Sequence, residues 1–319
     1  MKTVGISAVS LAFPQKVLTN SDLEKMVDTS DEWITTRTGI KERHILDKDE
    51  TVYSFVAQAA KEACAQITLD PGRLDFIISS TVTPDRCCPA QACDVGREIG
   101  ANKGFCFDIN AACSGFVFGL TLADSLMKTN DNLKYGLVTA GEQLSRVLDY
   151  TDRNSCVLFG DGASAAVVTT ENPEHIIIGT ELGSDPTMSN EVVIGGINDL
   201  LNDKKADYYF KQNGKTVFKF AVSKIKEMFE TLPAKVGIKP GQIKYVIPHQ
   251  ANLRIIDAGK EMVKGEIEFI SNIAKYGNTS SASIGMALAE NWHRFQKGDY
   301  VMLIGFGGGL SWGAALIEW

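Results

Sequence analysis

Two stretches of this chain read alike. Phe159-Gly160-Asp161-Gly162-Ala163-Ser164-Ala165-Ala166-Val167-Val168 and Phe306-Gly307-Gly308-Gly309-Leu310-Ser311-Trp312-Gly313-Ala314-Ala315-Leu316-Ile317 are each a glycine-rich turn feeding a strand of small apolar residues. They lie about half of the 319-residue chain apart. That separation is too wide for a solenoid or propeller repeat and points to two halves of similar build. Two unrelated glycine turns are the plain alternative. The boundary is expected at the polar, turn-forming Glu171-Asn172-Pro173, giving an N-terminal half 1–171 and a C-terminal half 172–319. Strands are expected over 74–80, 105–110, 135–140, 163–169, 244–248, 268–273 and 300–304. Helices are expected over 52–67, 89–100, 114–128, 215–232, 253–262 and 281–295. Short apolar runs interleaved with helical stretches specify an α/β fold of sheets covered by helices.

Several function classes fall away. With 44% hydrophobic and 22% charged residues the chain reads as a soluble globular protein, not a disordered or fibrous one. No run approaches the ~18–20 apolar residues of a membrane span. The start, Met1 to Val9, reads as a strand and not as a signal peptide, so a cytoplasmic location is expected. A net charge of −7 argues against nucleic acid and anionic membrane as main partners. Seven cysteines, an odd number, argue against a disulfide framework; each is a small buried residue or a reactive one. Cys64 and Cys106 read as core. Cys87, Cys88 and Cys93 cluster but lack paired spacing and a fourth ligand, so no metal site is expected.

Cys113 stands out by position. It joins the strand Phe105-Cys106-Phe107-Asp108-Ile109-Asn110 to a helix whose Phe116, Leu120, Ala123 and Met127 recur at helical spacing. A helix start favours thiolate over thiol through its dipole and free N–H groups. Its neighbours Ala111, Ala112, Ser114 and Gly115 are small enough for a substrate to approach. A buried structural Cys is the competing reading. Of the four histidines, His249 follows an apolar strand directly, where functional residues of α/β sheets gather. A satisfied core His is its alternative. His44 is expected exposed, His175 in a turn and His293 on a polar helix. Asn278 could serve chemistry or simply cap a helix. The Gly307-Gly308-Gly309 turn could offer N–H groups to an oxyanion or be a plain turn.

Together these corners resemble the β-ketoacyl–acyl carrier protein synthase III family, essentially end to end. The resemblance is carried by Asp31-Glu32-Trp33-Ile34 with Arg37-Thr38-Gly39-Ile40, by Asn110-Ala111-Ala112-Cys113-Ser114-Gly115-Phe116, and by Phe159-Gly160-Asp161-Gly162-Ala163. It continues through Pro248-His249-Gln250-Ala251-Asn252-Leu253-Arg254, Tyr276-Gly277-Asn278-Thr279-Ser280, and Gly305-Phe306-Gly307-Gly308-Gly309. It implies a thiolase-like α/β fold of two similar halves, with mixed sheets and helices in five layers. It implies decarboxylative Claisen condensation of malonyl-acyl carrier protein with an acyl-CoA starter, the first step of fatty acid synthesis. The alternative within the resemblance is a secondary-metabolism enzyme of polyketide or quinolone type with an unusual starter.

The resemblance also implies residue roles. Cys113, His249 and Asn278 form the triad. The N–H groups of Cys113 and Gly308 hold the oxyanion. Trp33, Arg37, Arg153, Gly214 and Asn252 bind coenzyme A, and Cys88, Phe159, Gln212 and Phe306 border the acyl pocket. Arg254, with Lys215 and Lys219, receives the carrier protein. Coenzyme A thioesters are substrates, no cofactor or metal is implied, and the assembly is a homodimer. The lysines carry an independent signal: residues 211–226 hold five Lys and no Asp or Glu. Such a ridge suits an acidic partner, or is simply a solvated face.

Three positions depart from the family pattern. Cys88 stands where many relatives have a Phe that caps the partner subunit's acyl pocket. Gln212-Asn213 replaces a small apolar pair, and Glu261-Met262 interrupts the basic positions after Arg254. Other readings fit less well. A thiolase needs a second Cys in the C-terminal half, elongating synthases have His where Asn278 stands, and a carrier-binding module needs no triad. No G-x-G-x-x-G follows an early strand, which excludes a dinucleotide-binding reading.

Overall fold

The computed structural model describes residues 2–201 and 205–319. Ten strands form its main sheet: β1 (Gly5–Ala12), β2 (Phe76–Ser80), β3 (Phe105–Ile109), β4 (Tyr135–Glu142), β5 (Gly162–Thr169), β6 (His175–Ser184), β7 (Ile243–Pro248), β8 (Glu268–Phe269), β9 (Tyr300–Gly307) and β10 (Ser311–Glu318). Their order is β8-β7-β9-β10-β6-β1-β5-β4-β2-β3. β1 and β6 pair in register only at Gly5↔Ile176 and Ile6↔His175. On either side of that seam the strands run in the same order and sense. β2 lies parallel to β3 and β4 while β5 is antiparallel to β4 and β1. β7 lies parallel to β8 and β9 while β10 is antiparallel to β9 and β6.

The longer helices are α1 (Asp31–Thr38), α2 (Val52–Gln66), α3 (Gln91–Ile99), α4 (Gly115–Thr129), α5 (Gly214–Lys235), α6 (Leu253–Met262) and α7 (Ala282–Asn291); α2 to α7 cover the two halves of this sheet, and α1 packs on α6. Strand alternation sorts them into layers. Ala163, Ala165 and Val167 of β5 pack on α2 and α3, whereas Ala166 and Val168 face α4 and α7. The matching strand β10 behaves alike: Ala314 and Leu316 pack on α5, and Ala315 and Ile317 on the central helices. Outer helices, one half of the sheet, central helices, the other half and outer helices make five layers. Both faces of each sheet are covered, so small apolar residues fill both patterned strands.

Some elements differ from expectation. The strand expected over 268–273 stops at Phe269, because the Gln250 amide takes over the ladder. Its Oε1 accepts from Asn272 N–H (3.1 Å) and Ser271 Oγ (2.8 Å), and its Nε2 donates to the Ile270 carbonyl (3.2 Å). The last expected helix ends at Asn291 in a short 3-10 turn, Trp292–Arg294, which holds His293. His44 is buried, not exposed: its ring packs on Phe13 and Tyr276, with Nδ1 2.6 Å from the Pro14 carbonyl. His175 opens β6 instead of lying in a turn, and stacks on Trp319.

Candidate active site

The glycine turn of each half grips the reactive corner of the other. After β3 the chain passes through Ala112, whose φ of 44° is left-handed, into a 3-10 turn Ala112–Ser114 and then α4. A Cβ-bearing residue holds such a φ only when its surroundings impose it. Here they do: the Ser114 hydroxyl donates to the Ala111 carbonyl (2.6 Å) and lies 2.8 Å from Ser311 Oγ at the start of β10. Gly307 presses on the same turn. A Cβ there would stand 2.6 Å from Cys113 N, so only glycine permits the approach. The reciprocal contact fixes Asn278, whose N–H donates to the Leu158 carbonyl (2.8 Å) while its carbonyl accepts from Gly160 N–H (3.1 Å).

The 278–283 segment then links all three chemical groups. Asn278 Oδ1 accepts from Ser280 N–H (2.9 Å), which leaves the Asn278 amide N–H groups as donors. Ser280 Oγ lies 3.4 Å from Cys113 Sγ. Ser283 Oγ lies 2.7 Å from His249 Nδ1 and accepts from Gln250 N–H (3.3 Å). With Ser283 Oγ already accepting from Gln250 N–H, its own proton is assigned to Nδ1, and this assignment places the His249 ring proton on Nε2. His249 follows β7, is 2% exposed, and has the Phe306 ring edge-on at 5.2 Å. Burial depresses its pKa to about 3, so the ring is neutral at physiological pH.

Cys113 departs from the helix-start expectation. Burial pushes its thiol up to about 12, the Glu142 carboxylate acts in the same direction, and the Ser280 hydrogen bond opposes both. The resting group is therefore a thiol, and the helix N-terminus does not by itself make it a thiolate.

Cys113, Ser280 and Gly308 share a cavity of about 700 Å³, walled on its apolar side by Val82, Leu144, Phe159, Val192, Ile194 and Phe210. A second cavity, of about 570 Å³, is lined by Trp33, Arg37, Gln212, Gly214, Asn252 and Arg254. Arg37 and Arg153 both stand over the Trp33 ring, at 4.9 and 5.1 Å. Trp33 owes its position to α1, capped by Ser30 Oγ accepting from Trp33 N–H (3.1 Å) and closed by Gly39 at φ 78°.

Comparison with known proteins identifies the family of the chain. The sequence model of 3-oxoacyl-[acyl-carrier-protein (ACP)] synthase III matches residues 107–186, and that of its C-terminal part matches residues 234–319. The beta-ketoacyl-[acyl-carrier-protein] synthase III of Aquifex aeolicus is 44% identical over 318 residues, covering 98% of this chain and 99% of its own. The chain belongs to the synthase III family. The crystal structure of 3-oxoacyl-[acyl-carrier-protein] synthase III from Aquifex aeolicus VF5 superposes with a TM-score of 0.91 at 42% identity, covering 99% of this chain and all of that one (100%). The priming β-ketosynthase of the R1128 polyketide pathway superposes with a TM-score of 0.92 but at 31% identity, covering 99% and 96% of the two chains.

Against the family pattern, the structure redistributes the acyl-pocket residues. Phe159 lines the cavity beside Cys113. Gln212 lines the second cavity instead, Phe306 supports the His249 ring, and Cys88 is exposed and borders neither of these two cavities. The wall comes from Pro186 and the Val192–Gly195 stretch, part of it a ribbon of Val192–Val193 on Lys211–Gln212. Of the five lysines on the ridge, Lys211 pairs with Asp207 and Lys224 with Glu227. Lys215, Lys219 and Arg254 are exposed and form no ion pair among the described residues. Among those residues no three His, Cys, Asp or Glu groups stand close enough to hold a metal, and no helix is long and apolar enough to cross a membrane. Sequence reading missed Ser280, Ser283 and Glu142. Glu142 did leave a signal, a carboxylate at the end of a largely apolar strand.

Proposed function

We propose that this protein joins an acyl-CoA starter to malonyl-acyl carrier protein by decarboxylative Claisen condensation, forming the β-ketoacyl-acyl carrier protein that begins fatty acid synthesis. The observation that carries the reading is the convergence of Cys113, His249 and Asn278 on the 278–283 segment. Thioester exchange needs a nucleophile whose acylated form is itself a thioester, which Cys113 supplies. The Cys113 sulfur attacks the starter carbonyl, the N–H groups of Cys113 and Gly308 receive the oxyanion, and coenzyme A leaves. The malonyl thioester then loses carbon dioxide. Its enolate oxygen accepts from His249 Nε2–H and the Asn278 amide. Neutral His249 suits this role, since the step needs donors and no strong base. The carbanion attacks acyl-Cys113 and frees the sulfur.

Trp33, with Arg37 and Arg153 over its ring, offers a platform for the adenine of coenzyme A. Gly214 and Asn252 border the pantetheine path. Lys215, Lys219 and Arg254 receive the acidic carrier protein. Strand β3 ends the main sheet with Phe105 43% exposed, an unpaired edge that suits pairing with a second copy. The protein is thus read as a homodimer of the cytoplasm, formed of halves 1–171 and 172–319. Fatty acid initiation is preferred over a polyketide role because the fatty-acid relative shares more of the sequence. The test is intact-mass analysis after incubation with mixed acyl-CoAs. A single acyl adduct on Cys113, lost in Cys113→Ser, is expected; an adduct that survives on another residue refutes the assignment.

A further inference from the structure

Acylation requires the Cys113 proton to leave, and His249, held neutral as a donor, is not set to take it. The sulfur has another neighbour. Ser280 Oγ lies 3.4 Å from Cys113 Sγ and 3.3 Å from Glu142 Oε1. Ser280 is fixed there by its left-handed φ of 50° and by its N–H, which donates to Asn278 Oδ1. Glu142 is 0% exposed and forms no ion pair among the described residues. Hydroxyls and one backbone amide surround it, and Cys113 is the titratable group that these contacts place against it.

The two Glu142 oxygens are not equivalent. Oε2 accepts from Val82 N–H (3.1 Å), Thr83 Oγ1 (2.7 Å) and Thr81 Oγ1 (3.3 Å). Thr83 Oγ1 itself accepts from Gln143 N–H, and Thr81 Oγ1 from Thr83 N–H. Both hydroxyl protons are therefore available to Oε2, which is committed as an acceptor. Oε1 meets Ser281 Oγ at 2.7 Å and Ser280 Oγ at 3.3 Å. The Ser281 proton has a second acceptor in the Ser80 carbonyl, 3.4 Å away. A proton arriving at Glu142 thus belongs on Oε1, the side that faces the sulfur.

We propose that, as Cys113 attacks the starter thioester, its proton passes to Ser280 Oγ while the Ser280 proton passes to Glu142 Oε1. The sulfur lone pair forms the bond to the carbonyl carbon, and the displaced carbonyl electrons rest on the oxyanion. When that intermediate collapses, the bond to the coenzyme A sulfur breaks. The proton returns from Oε1 through Ser280 to the leaving thiolate, and Glu142 ends ionised as it began. One negative charge moves between Glu142 and the reacting centre, and two never stand side by side in the buried site. Burial raises both groups, which keeps Glu142 nearer the thiol in basicity than an exposed carboxylate is.

The inference rests on Cys113 being the acylated nucleophile, so the adduct is mapped in every sample. An adduct elsewhere in the wild type overturns that reading; an adduct on Cys113 leaves the relay to be judged on rates. Acylation by acyl-CoA and alkylation by iodoacetamide are followed against pH in wild type, Glu142→Gln and Ser280→Ala, with malonyl decarboxylation in parallel. Gln keeps the shape of Glu142 but cannot take the proton. Both variants are expected to lose about 100-fold in both Cys113 reactions near neutral pH, the scale of general acid–base help. The loss should shrink as rising pH ionises the thiol directly, and decarboxylation should keep most of its rate. Unchanged or faster alkylation in Glu142→Gln means that the carboxylate only repels the thiolate, which overturns the relay. If that variant does not fold, Ser280→Ala decides: a wild-type profile there, or an equal loss of decarboxylation, overturns it too.

Discussion

Asn278→Ala isolates one donor from the fold that presents it. The Asn278 backbone is held by its N–H on the Leu158 carbonyl and by its own carbonyl on Gly160 N–H, and neither bond involves the side chain. Asn278 is 5% exposed, and its Oδ1 satisfies Ser280 N–H. Truncation therefore has two separable costs. Leaving a buried N–H unpaired costs about 1–3 kcal/mol of stability, a loss most domains survive at the usual ~5–15 kcal/mol. Removing one donor from the enolate costs about 100–1,000-fold in rate, or ~2.7–4 kcal/mol of barrier. The loss falls chiefly on decarboxylation, since Cys113 acylation uses the N–H groups of Cys113 and Gly308 and feels the change only through Ser280, whose N–H loses its Asn278 Oδ1 acceptor. Carbon dioxide release from malonyl-carrier and the rate of Cys113 acylation are measured on the same preparation. A fall of at least ~100-fold in the first with the second largely intact is expected. Decarboxylation at the wild-type rate refutes the donor role, and an equal fall in both reactions shows that the variant has lost the site as a whole.

Other consequences follow from the same geometry. The folded pKa of His249 lies near 3 and its unfolded value near 6.5, so below pH 6.5 the unfolded chain binds a proton the folded chain does not. Stability should fall by up to about 1.4 kcal/mol per pH unit between those values relative to His249→Gln; parallel denaturation midpoints for the two proteins between pH 7 and 5 would contradict this. Charge reversal at Lys215, Lys219 and Arg254 should raise KM for malonyl-carrier more than for small acyl-CoA, and high salt should weaken carrier binding by the wild type through screening over ~8–10 Å. Equal losses with both substrates would count against a docking face. The cavity beside Cys113 should reward starters longer than acetyl by roughly 0.8 kcal/mol per buried methylene, about fourfold in kcat/KM. Val192→Phe should cut off the longer starters. Cys88→Phe should do so only if that loop closes the pocket of a second copy, and unchanged chain-length profiles in both variants would refute the assignment of this cavity to the acyl chain.

The sequence by itself determined the alternation of strands and helices, the likeness of the two glycine turns, and the three corners bearing Cys113, His249 and Asn278. These are local signals. Side-chain period, turn chemistry and residue type at a strand end are written in neighbouring positions, so they survive without a fold. Strand 268–273 failed for the opposite reason: the Gln250 amide, distant in sequence, displaced the ladder that the local pattern favoured. His44 failed likewise, because charged neighbours along the chain say nothing of Phe13 and Tyr276 packed around its ring. Only the tertiary structure crossed the halves, so that Gly307 presses on Cys113 and Gly160 holds Asn278. It also decided the charge states. A helix start argues for a Cys113 thiolate and an ordinary His titrates near neutrality, but burial reverses the first and keeps His249 neutral. Desolvation is a property of everything packed around a group, and that is assembled from segments the sequence keeps far apart.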